Sequence, residues 1–301
     1  MPLFLKIFLF DFFKFTCDLQ VMKKRLFPFF FSLGFSLFFV LLSGTGEAFV
    51  PQAPHLLHLV MGKIKQPVGI EAYQTKKILN YKDTQEGLVE LEEKLIYSYP
   101  NQFRSQIISD TMTSFSVESD FKVVKVMNGV IVSHDKLLVD LYTDILLYRD
   151  YETLLSQMAS AGIDTSKVSF QRVNDTICYV IGRPLAKGKP FAGLWIEKES
   201  FLPIKYMVEK NGWMVEFFYN NWQRVSKTWY PMQVSIFLDN QLFAMIHVRS
   251  FDLKSGFSKD LFDIEHIEQL YPKNGLDPFD ENNKQVDDLD KRMEDFKKLY
   301  E

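Results

Sequence analysis

Few side chains in this chain of 301 residues have the type and spacing that catalysis or metal binding requires. His134 and Asp135 follow a predicted strand, where an imidazole could act as a general base, but a turn leading into a helix explains them more simply. His55 and His58 lie three residues apart, and the surrounding sequence offers no further metal ligands at suitable spacing. Cys178 sits in an apolar predicted strand, which indicates a small core residue and not a nucleophile.

Carboxylate pairs and nucleotide-binding loops are no more promising. Glu92 and Glu93 are adjacent on a predicted strand, so their side chains point to opposite faces and cannot line one site. The sequence has no phosphate-binding glycine loop, no nucleophile elbow, no paired-cysteine motif and no zinc-protease motif. The formal net charge of -3 argues against nucleic-acid binding. We therefore expect no enzyme and no cofactor or metal, and keep a hydrolase only as a third hypothesis.

The N-terminal region has the pattern of a secretory signal. A short basic run at residues 22–25 precedes an apolar run at residues 26–42, and small residues follow up to Ala48. We predict cleavage after Ala48 and a mature protein in the periplasm of a Gram-negative cell. An uncleaved membrane anchor is the alternative, and Met22 in place of Met1 would be the start that fits a signal best.

Composition divides the chain into three parts. We predict an upstream extension with signal peptide at 1–48, a folded domain at 49–272, and a charged, flexible tail at 273–301 with few apolar positions.

Hydrophobic periodicity in the middle of the chain predicts an α+β fold. Residues 193–251 alternate long aromatic strands with turn signals, as an antiparallel meander would. We expect a curved antiparallel sheet of about ten strands, with helices against its concave side. One helix is predicted at 54–65. The segment 137–161 predicts one broken helix or two short ones, with Asp144 on the solvated side.

The order of these pieces resembles the LolA/LolB-like family of lipoprotein-sorting proteins. The resemblance rests on the Tyr99-to-Arg104 turn, the Asn128-Gly129 hairpin, residues 194–205, Tyr230-Pro231 and residues 260–264. It implies an incomplete barrel whose cavity holds acyl chains under covering helices. It also implies a monomeric carrier with an inner-membrane releasing complex and an outer-membrane receptor as partners. The tail and the loop at 184–190 depart from the family pattern.

Candidate lipid-binding residues lie on alternating apolar positions of the long strands and of the predicted covering helix. They are Leu91, Leu95, Tyr97, Val215, Phe217, Tyr219, Val234 and Ile236 on strands, and Leu141, Ile145 and Leu155 on the helix. Arg104 is a candidate latch to helix carbonyls or a ligand for a phosphate head group, with a solvated strand arginine as the simpler interpretation. A protein-binding or envelope-sensing module that uses the same sheet without lipid is the alternative function.

Overall fold

We describe the protein from a computed structural model, which describes residues 50–64, 68–79, 88–109, 112–148, 150–184 and 189–273. The predicted signal, its cleavage site and all of the tail after Lys273 lie outside these residues and stay predictions. In the described ranges, no helix has both the length and the apolar composition needed to cross a membrane.

Thirteen strands of the described chain form one open antiparallel sheet. Its order is β6-β5-β4-β3-β2-β1-β13-β12-β11-β10-β9-β8-β7, so two meanders meet where β1 pairs with β13. The α+β class is confirmed, with more strands than the ten or so expected. The strands are β1 Gly69–Leu79, β2 Leu88–Ser98, β3 Gln102–Ile108, β4 Ser114–Ser119, β5 Lys122–Met127, β6 Val130–Ser133, β7 Val168–Val173, β8 Thr176–Ile181, β9 Gly193–Glu197, β10 Pro203–Lys210, β11 Trp213–Val225, β12 Thr228–Leu238 and β13 Gln241–Lys254.

Tight turns with left-handed residues join neighbouring strands. Asn128 and Gly129 have φ of 49° and 78°, and Asn211 and Gly212 have φ of 53° and 79°. Positive φ at both central residues is the type I′ geometry, which asparagine and glycine adopt most readily. The predicted Asn128-Gly129 hairpin is therefore confirmed, and Asn211-Gly212 forms one of the turns expected within residues 193–251. The two turns set the register of β5 with β6 and of β10 with β11.

The sheet is strongly curved. The hydroxyls of Tyr97 on β2 and Tyr230 on β12 are 3.1 Å apart, although β1 and β13 lie between these strands. Strands of a flat sheet are separated by about 4.8 Å each, so side chains this far apart converge only on a concave face. That face carries the main hydrophobic core, and the helices pack into it.

Three helices and one 3₁₀ helix contribute to this core: α1 Ala53–Lys63, the 3₁₀ helix Leu138–Thr143, α2 Asp144–Leu147 and α3 Tyr151–Ser160. The predicted helix at 137–161 is therefore broken in two. Asp150 starts α3 as its N-cap, with its carboxylate accepting a 2.8 Å hydrogen bond from the Thr153 amide. We call residues 138–148 the plug.

The plug lies inside the curved sheet. Every residue from 139 to 148 is buried, including both carboxylates in that stretch. A short helical segment that is buried on all sides has no solvated face. The prediction that Asp144 lies on the solvated side is therefore wrong, because the helical period does not continue from the plug into α3. Asp144 is 1% exposed and meets Lys136.

The convex face is covered at one end. A 3₁₀ helix, Lys259–Phe262, and helix α4, Ile264–Leu270, pack Phe262, Ile264 and Ile267 onto apolar side chains of β2, β4, β5 and β6. The covered residues are Ile96, Phe115, Val117, Val124, Val126 and Ile131. The C-terminal segment thus fixes the outer side of the β2–β6 part of the sheet.

This covering gives a first test of the fold. Replacing Phe262, which is 3% exposed, with alanine should lower the free energy of unfolding by about 3–5 kcal/mol, because it removes a buried ring and leaves a cavity. Leu270 on α4 is 60% exposed, so Leu270→Ala is the control and should change stability by less than about 0.5 kcal/mol. Equal losses in urea denaturation would contradict the packing described.

Candidate functional site

The predicted lining residues come together in one buried cluster. Ten of the eleven belong to the main core, and Leu155 on α3 is partly buried against it. The register agrees with the prediction, because Val234 pairs with Tyr219, and Ile236 pairs with Phe217, across β11 and β12. These residues therefore share the concave face. Whether they bind lipid stays a prediction.

The two halves of the concave face differ in chemistry. The strands β8 to β13 present apolar and aromatic side chains to the core, with Thr228 as the one buried polar residue that they add to this face within the described chain. Every other buried polar side chain of this face in the described ranges comes from β1–β6 or from the plug. We call the first half the apolar wall and the second the polar wall.

A buried ion-pair cluster joins the plug to the polar wall. The Lys76 Nζ donates to Asp140 Oδ1 at 2.8 Å and lies 3.1 Å from Glu93 Oε2. Lys76 is 1% exposed, Glu93 3% and Asp140 7%. Such charges are costly to bury singly, so each needs the others in place. The contact therefore determines where the plug sits on β1 and β2.

Polar neighbours complete this cluster. The Gln74 amide donates to Glu93 Oε2 at 2.6 Å and to the Tyr142 hydroxyl at 3.0 Å, and the Ser105 hydroxyl donates to the other Glu93 oxygen. Burial lowers the pKa of Lys125 on β5 to about 8, with the charges of Asp140, Lys76 and Glu93 as further influences. Lys125 therefore lies within electrostatic reach of the same cluster.

A second buried cluster holds the two ends of the plug. The Lys136 Nζ donates to Glu118 Oε2 on β4 at 2.7 Å and to Asp144 Oδ1 at 2.6 Å. Burial would lower the pKa of Lys136, but the two carboxylates outweigh it and raise that pKa. The Tyr148 hydroxyl donates to Glu118, and the Gln157 amide of α3 donates to Asp144 at 3.2 Å. One strand therefore anchors both the start and the end of the plug.

The apolar wall also contacts the plug, through tyrosines. The Tyr219 hydroxyl donates to the Tyr142 carbonyl at 2.8 Å. Tyr206 on β10 is fully buried, and its hydroxyl has no hydrogen-bond partner among the described residues. Burial, with the Asp144 charge as a second cause, raises the pKa of Tyr206 well above its usual value. A buried hydroxyl left unpaired costs about 1–3 kcal/mol, which a hydrogen-bond acceptor in a ligand could recover.

Arg104 does not meet the predicted covering helix. Its guanidinium donates to the Leu261 carbonyl at 3.1 Å and lies over the Phe115 ring, 4.2 Å from the centroid. Both partners are on the convex face, because Arg104 pairs with Ile96 and Val117 of the convex cluster. The expectation of a latch on the plug is therefore not met. The residue does bind a helix carbonyl, but that of the C-terminal 3₁₀ helix.

The residues first considered for catalysis are placed elsewhere. The His134 ring pairs with Glu268 of α4 at 2.9 Å, on the exposed surface. Burial raises the pKa of Cys178 to about 11, which suppresses the thiolate form. Glu92 and Glu93 lie on opposite faces as predicted, with Glu92 bound to Arg249. Within the described ranges, no group of three or more potential ligands is arranged to hold a metal ion.

Sequence reasoning missed the polar wall. Lys76 shares its strand face with Ile70, Ala72 and Ile78, and Glu93 shares one with Leu91 and Leu95. Strict alternation along each strand therefore placed both charges among the core positions. The alternation pattern could therefore have revealed both buried charges. It could not show that Lys76 binds Asp140, which lies 64 positions away in the chain.

The buried lysine gives the second test. Lys76→Met should lower the free energy of unfolding by about 3–5 kcal/mol, because it leaves Asp140 and Glu93 buried without their cation. Lys77 is the matched control, since it is adjacent on β1 but faces the convex side and pairs with half-exposed Glu90. Lys77→Met should cost less than about 1 kcal/mol in urea denaturation. Similar losses for both variants would show that Lys76 is not part of a buried cluster.

Comparison with known proteins identifies the fold. No family model and no curated protein sequence matches the chain. Among solved structures, the chain is similar to a LolA superfamily protein from Nitrosomonas europaea, with 11% identity, a TM-score of 0.50, and coverage of 72% of this chain and 100% of the other. It is also similar to a DUF1329 family protein from Desulfovibrio piger, with 13% identity, a TM-score of 0.47 and coverage of 72% and 98%. On the first of these matches, and on the open curved sheet with helices inside it, the chain has the LolA-like fold.

Proposed function

We propose that this protein is a periplasmic carrier that binds acyl chains of a lipid or lipoprotein against the apolar wall. The observation that best supports this proposal is the composition of that wall, where six neighbouring strands present apolar and aromatic side chains to one concavity. Each methylene group taken out of water is worth about 0.8 kcal/mol, so an acyl chain laid along this wall would be held strongly. We infer no catalytic role, and the LolA-like fold of the chain supports carriage over catalysis.

The way in which the concavity is filled supports this proposal. The plug, α1 and α3 pack into the same core as the side chains of the apolar wall. The described contacts of the plug with the sheet are made by side chains, such as Lys76 to Asp140 and Tyr219 to the Tyr142 carbonyl. A segment held by side chains can move away without breaking the strand ladder. Leu141 and Ile145 of the plug would then be replaced by cargo.

The unpaired Tyr206 hydroxyl gives further support. It lies on the apolar wall, stacked on Phe217 at 5.9 Å between ring centroids. An ester or amide carbonyl of an acylated ligand could accept its hydrogen bond. A purely structural core would gain more from phenylalanine at this position, because phenylalanine leaves no buried donor unpaired.

Detergent-free purification and native mass spectrometry test the proposal. The wild-type protein should carry bound lipid or acyl species, and Phe217→Glu should lose them while the far-UV circular dichroism spectrum is retained. A charge at Phe217 opposes an acyl chain at the centre of the wall. Phe218→Glu is the matched control, because Phe218 is the adjacent residue on the convex side, beneath Lys205.

The outcomes separate the candidate functions. Lipid retained by Phe218→Glu and lost by Phe217→Glu supports the carrier. A wild-type protein without lipid, unable to bind added acyl ligands, would favour the protein-binding or envelope-sensing module. Unfolding of Phe217→Glu would mean that Phe217 is packed core, and Val215→Phe, which only fills space on the wall, then becomes the test of acyl binding.

We also propose that export precedes this function. The domain at 49–272 would be released by cleavage after Ala48, and the carrier would act between an inner-membrane releasing complex and an outer-membrane receptor. N-terminal sequencing of the protein from its native host should find Phe49 as the first residue. A first residue at or before Met22, in protein recovered with the inner membrane, would contradict cleavage.

A further inference from the structure

We propose that the hydroxyls of Tyr206 and Tyr219 on the apolar wall bind a carbonyl oxygen of the cargo, so that the protein selects acyl chains linked through an ester or an amide. The proposal rests on the proposed function, because it assumes that the plug leaves the concavity when cargo enters. It adds the chemical group by which acyl chains would be distinguished from alkyl chains, and the two residues that would determine this specificity.

Tyr206 carries a hydrogen-bond donor that lacks an acceptor. Its side chain is fully buried, and its hydroxyl has no hydrogen-bond partner among the described residues. Burial, and then the Asp144 charge, raise the pKa of Tyr206, so the hydroxyl stays protonated. The Asp144 carboxylate itself accepts from Lys136 and Gln157. The Tyr206 hydroxyl is therefore a donor that the described part of the chain leaves unused.

Tyr219 already binds a carbonyl oxygen. Its hydroxyl donates to the backbone carbonyl of Tyr142 in the plug at 2.8 Å. Leu141 and Ile145, which precede and follow Tyr142 in the plug, are buried in the main core. The plug therefore presents to the apolar wall what an acyl group would present, which is a carbonyl oxygen beside apolar carbon. When the plug moves away, Tyr219 loses this acceptor and becomes a second unpaired donor.

The two tyrosines occupy neighbouring positions of one face. Tyr206 on β10 pairs with Phe217 on β11, and their rings stack with centroids 5.9 Å apart. Tyr219 lies two residues beyond Phe217 on β11, so it faces the same side of the sheet. Residues in such a diagonal position are about 7–8 Å apart, which is within reach of aromatic side chains. A carbonyl bound over the Phe217 ring could therefore accept from either hydroxyl.

A carbonyl matters because the cargo would bury both hydroxyls again. An alkyl chain would leave the two donors covered and unpaired, which weakens its binding, whereas a carbonyl oxygen has two lone pairs to offer them. A site built to bond a polar group rejects an analogue without that group far more strongly than an apolar pocket rejects one additional methylene. The apolar wall would thus supply affinity for the chain, and the two tyrosines would supply the discrimination.

Two ligands that differ only at the carbonyl test the site. They are monoolein and its ether analogue, glyceryl monooleyl ether, in which a methylene group replaces the ester carbonyl. Native mass spectrometry of the detergent-free full chain with equimolar amounts of both gives the ratio of the two bound forms. Wild-type protein should prefer the ester by about tenfold or more. Tyr206→Phe should lower this ester-to-ether ratio by about three- to tenfold, because it removes one donor and keeps the apolar area. In the double variant Tyr206→Phe with Tyr219→Phe, the preference should disappear.

Tyr271→Phe is the matched control. It also removes one tyrosine hydroxyl, but Tyr271 packs against the convex cluster, where its ring meets Phe115 edge-on. The ester-to-ether ratio should therefore stay at the wild-type value. A ratio that falls as much in Tyr271→Phe as in Tyr206→Phe would overturn the carbonyl site.

The stability of the ligand-free protein separates recognition from a structural role. Tyr206→Phe loses no hydrogen bond, so its midpoint of thermal unfolding should not fall. Tyr219→Phe loses the bond to the Tyr142 carbonyl, so its midpoint should fall by about 2–4 °C. A lower midpoint or a loss of folding in Tyr206→Phe would mean that the hydroxyl serves the protein itself, and the inference would be wrong.

The remaining outcomes distinguish this inference from the proposed function. If ester and ether bind equally well to the wild-type protein and to every variant, the carrier stands and the carbonyl site is wrong. If neither ligand binds to any form, the proposed function itself fails, and this inference fails with it.

Discussion

The buried charge of the polar wall is the constraint on which the rest of the structure depends. Lys76 and Glu93 lie at core positions of two central strands, where solvent cannot reach them. Alternation fixes these positions, since a shift by one residue would turn the whole apolar set of each strand outward. The strands therefore cannot remove the charges from the interior, and Lys76 and Glu93 neutralise each other at 3.1 Å across β1 and β2. Lys76 also donates to Asp140 of the plug at 2.8 Å, so the buried pair fixes the position of a segment that lies inside the curved sheet.

This constraint divides the interior into a polar half and an apolar half. Polar contacts are concentrated on β1–β6, where they specify the position of the plug, while β8–β13 contribute mainly apolar area together with the hydrogen bond from the Tyr219 hydroxyl to the Tyr142 carbonyl. Buried ion pairs contribute little net stability compared with apolar replacements, because desolvation offsets their attraction. Their value here lies in specificity, because the plug has to bring Asp140 to Lys76 and Asp144 to Lys136 at the same time.

The sequence predicted the surfaces better than the contacts between them. The alternation of Leu91, Leu95 and Tyr97 indicated one face correctly, because strand periodicity is local. Asp144 was misjudged because the whole plug that carries it is buried inside the curved sheet. Arg104 was misjudged because its partner comes from a distant part of the chain, the C-terminal 3₁₀ helix at Leu261. No local pattern shows which of two faces a remote segment will cover, so periodicity could place Arg104 on a strand but not name its partner.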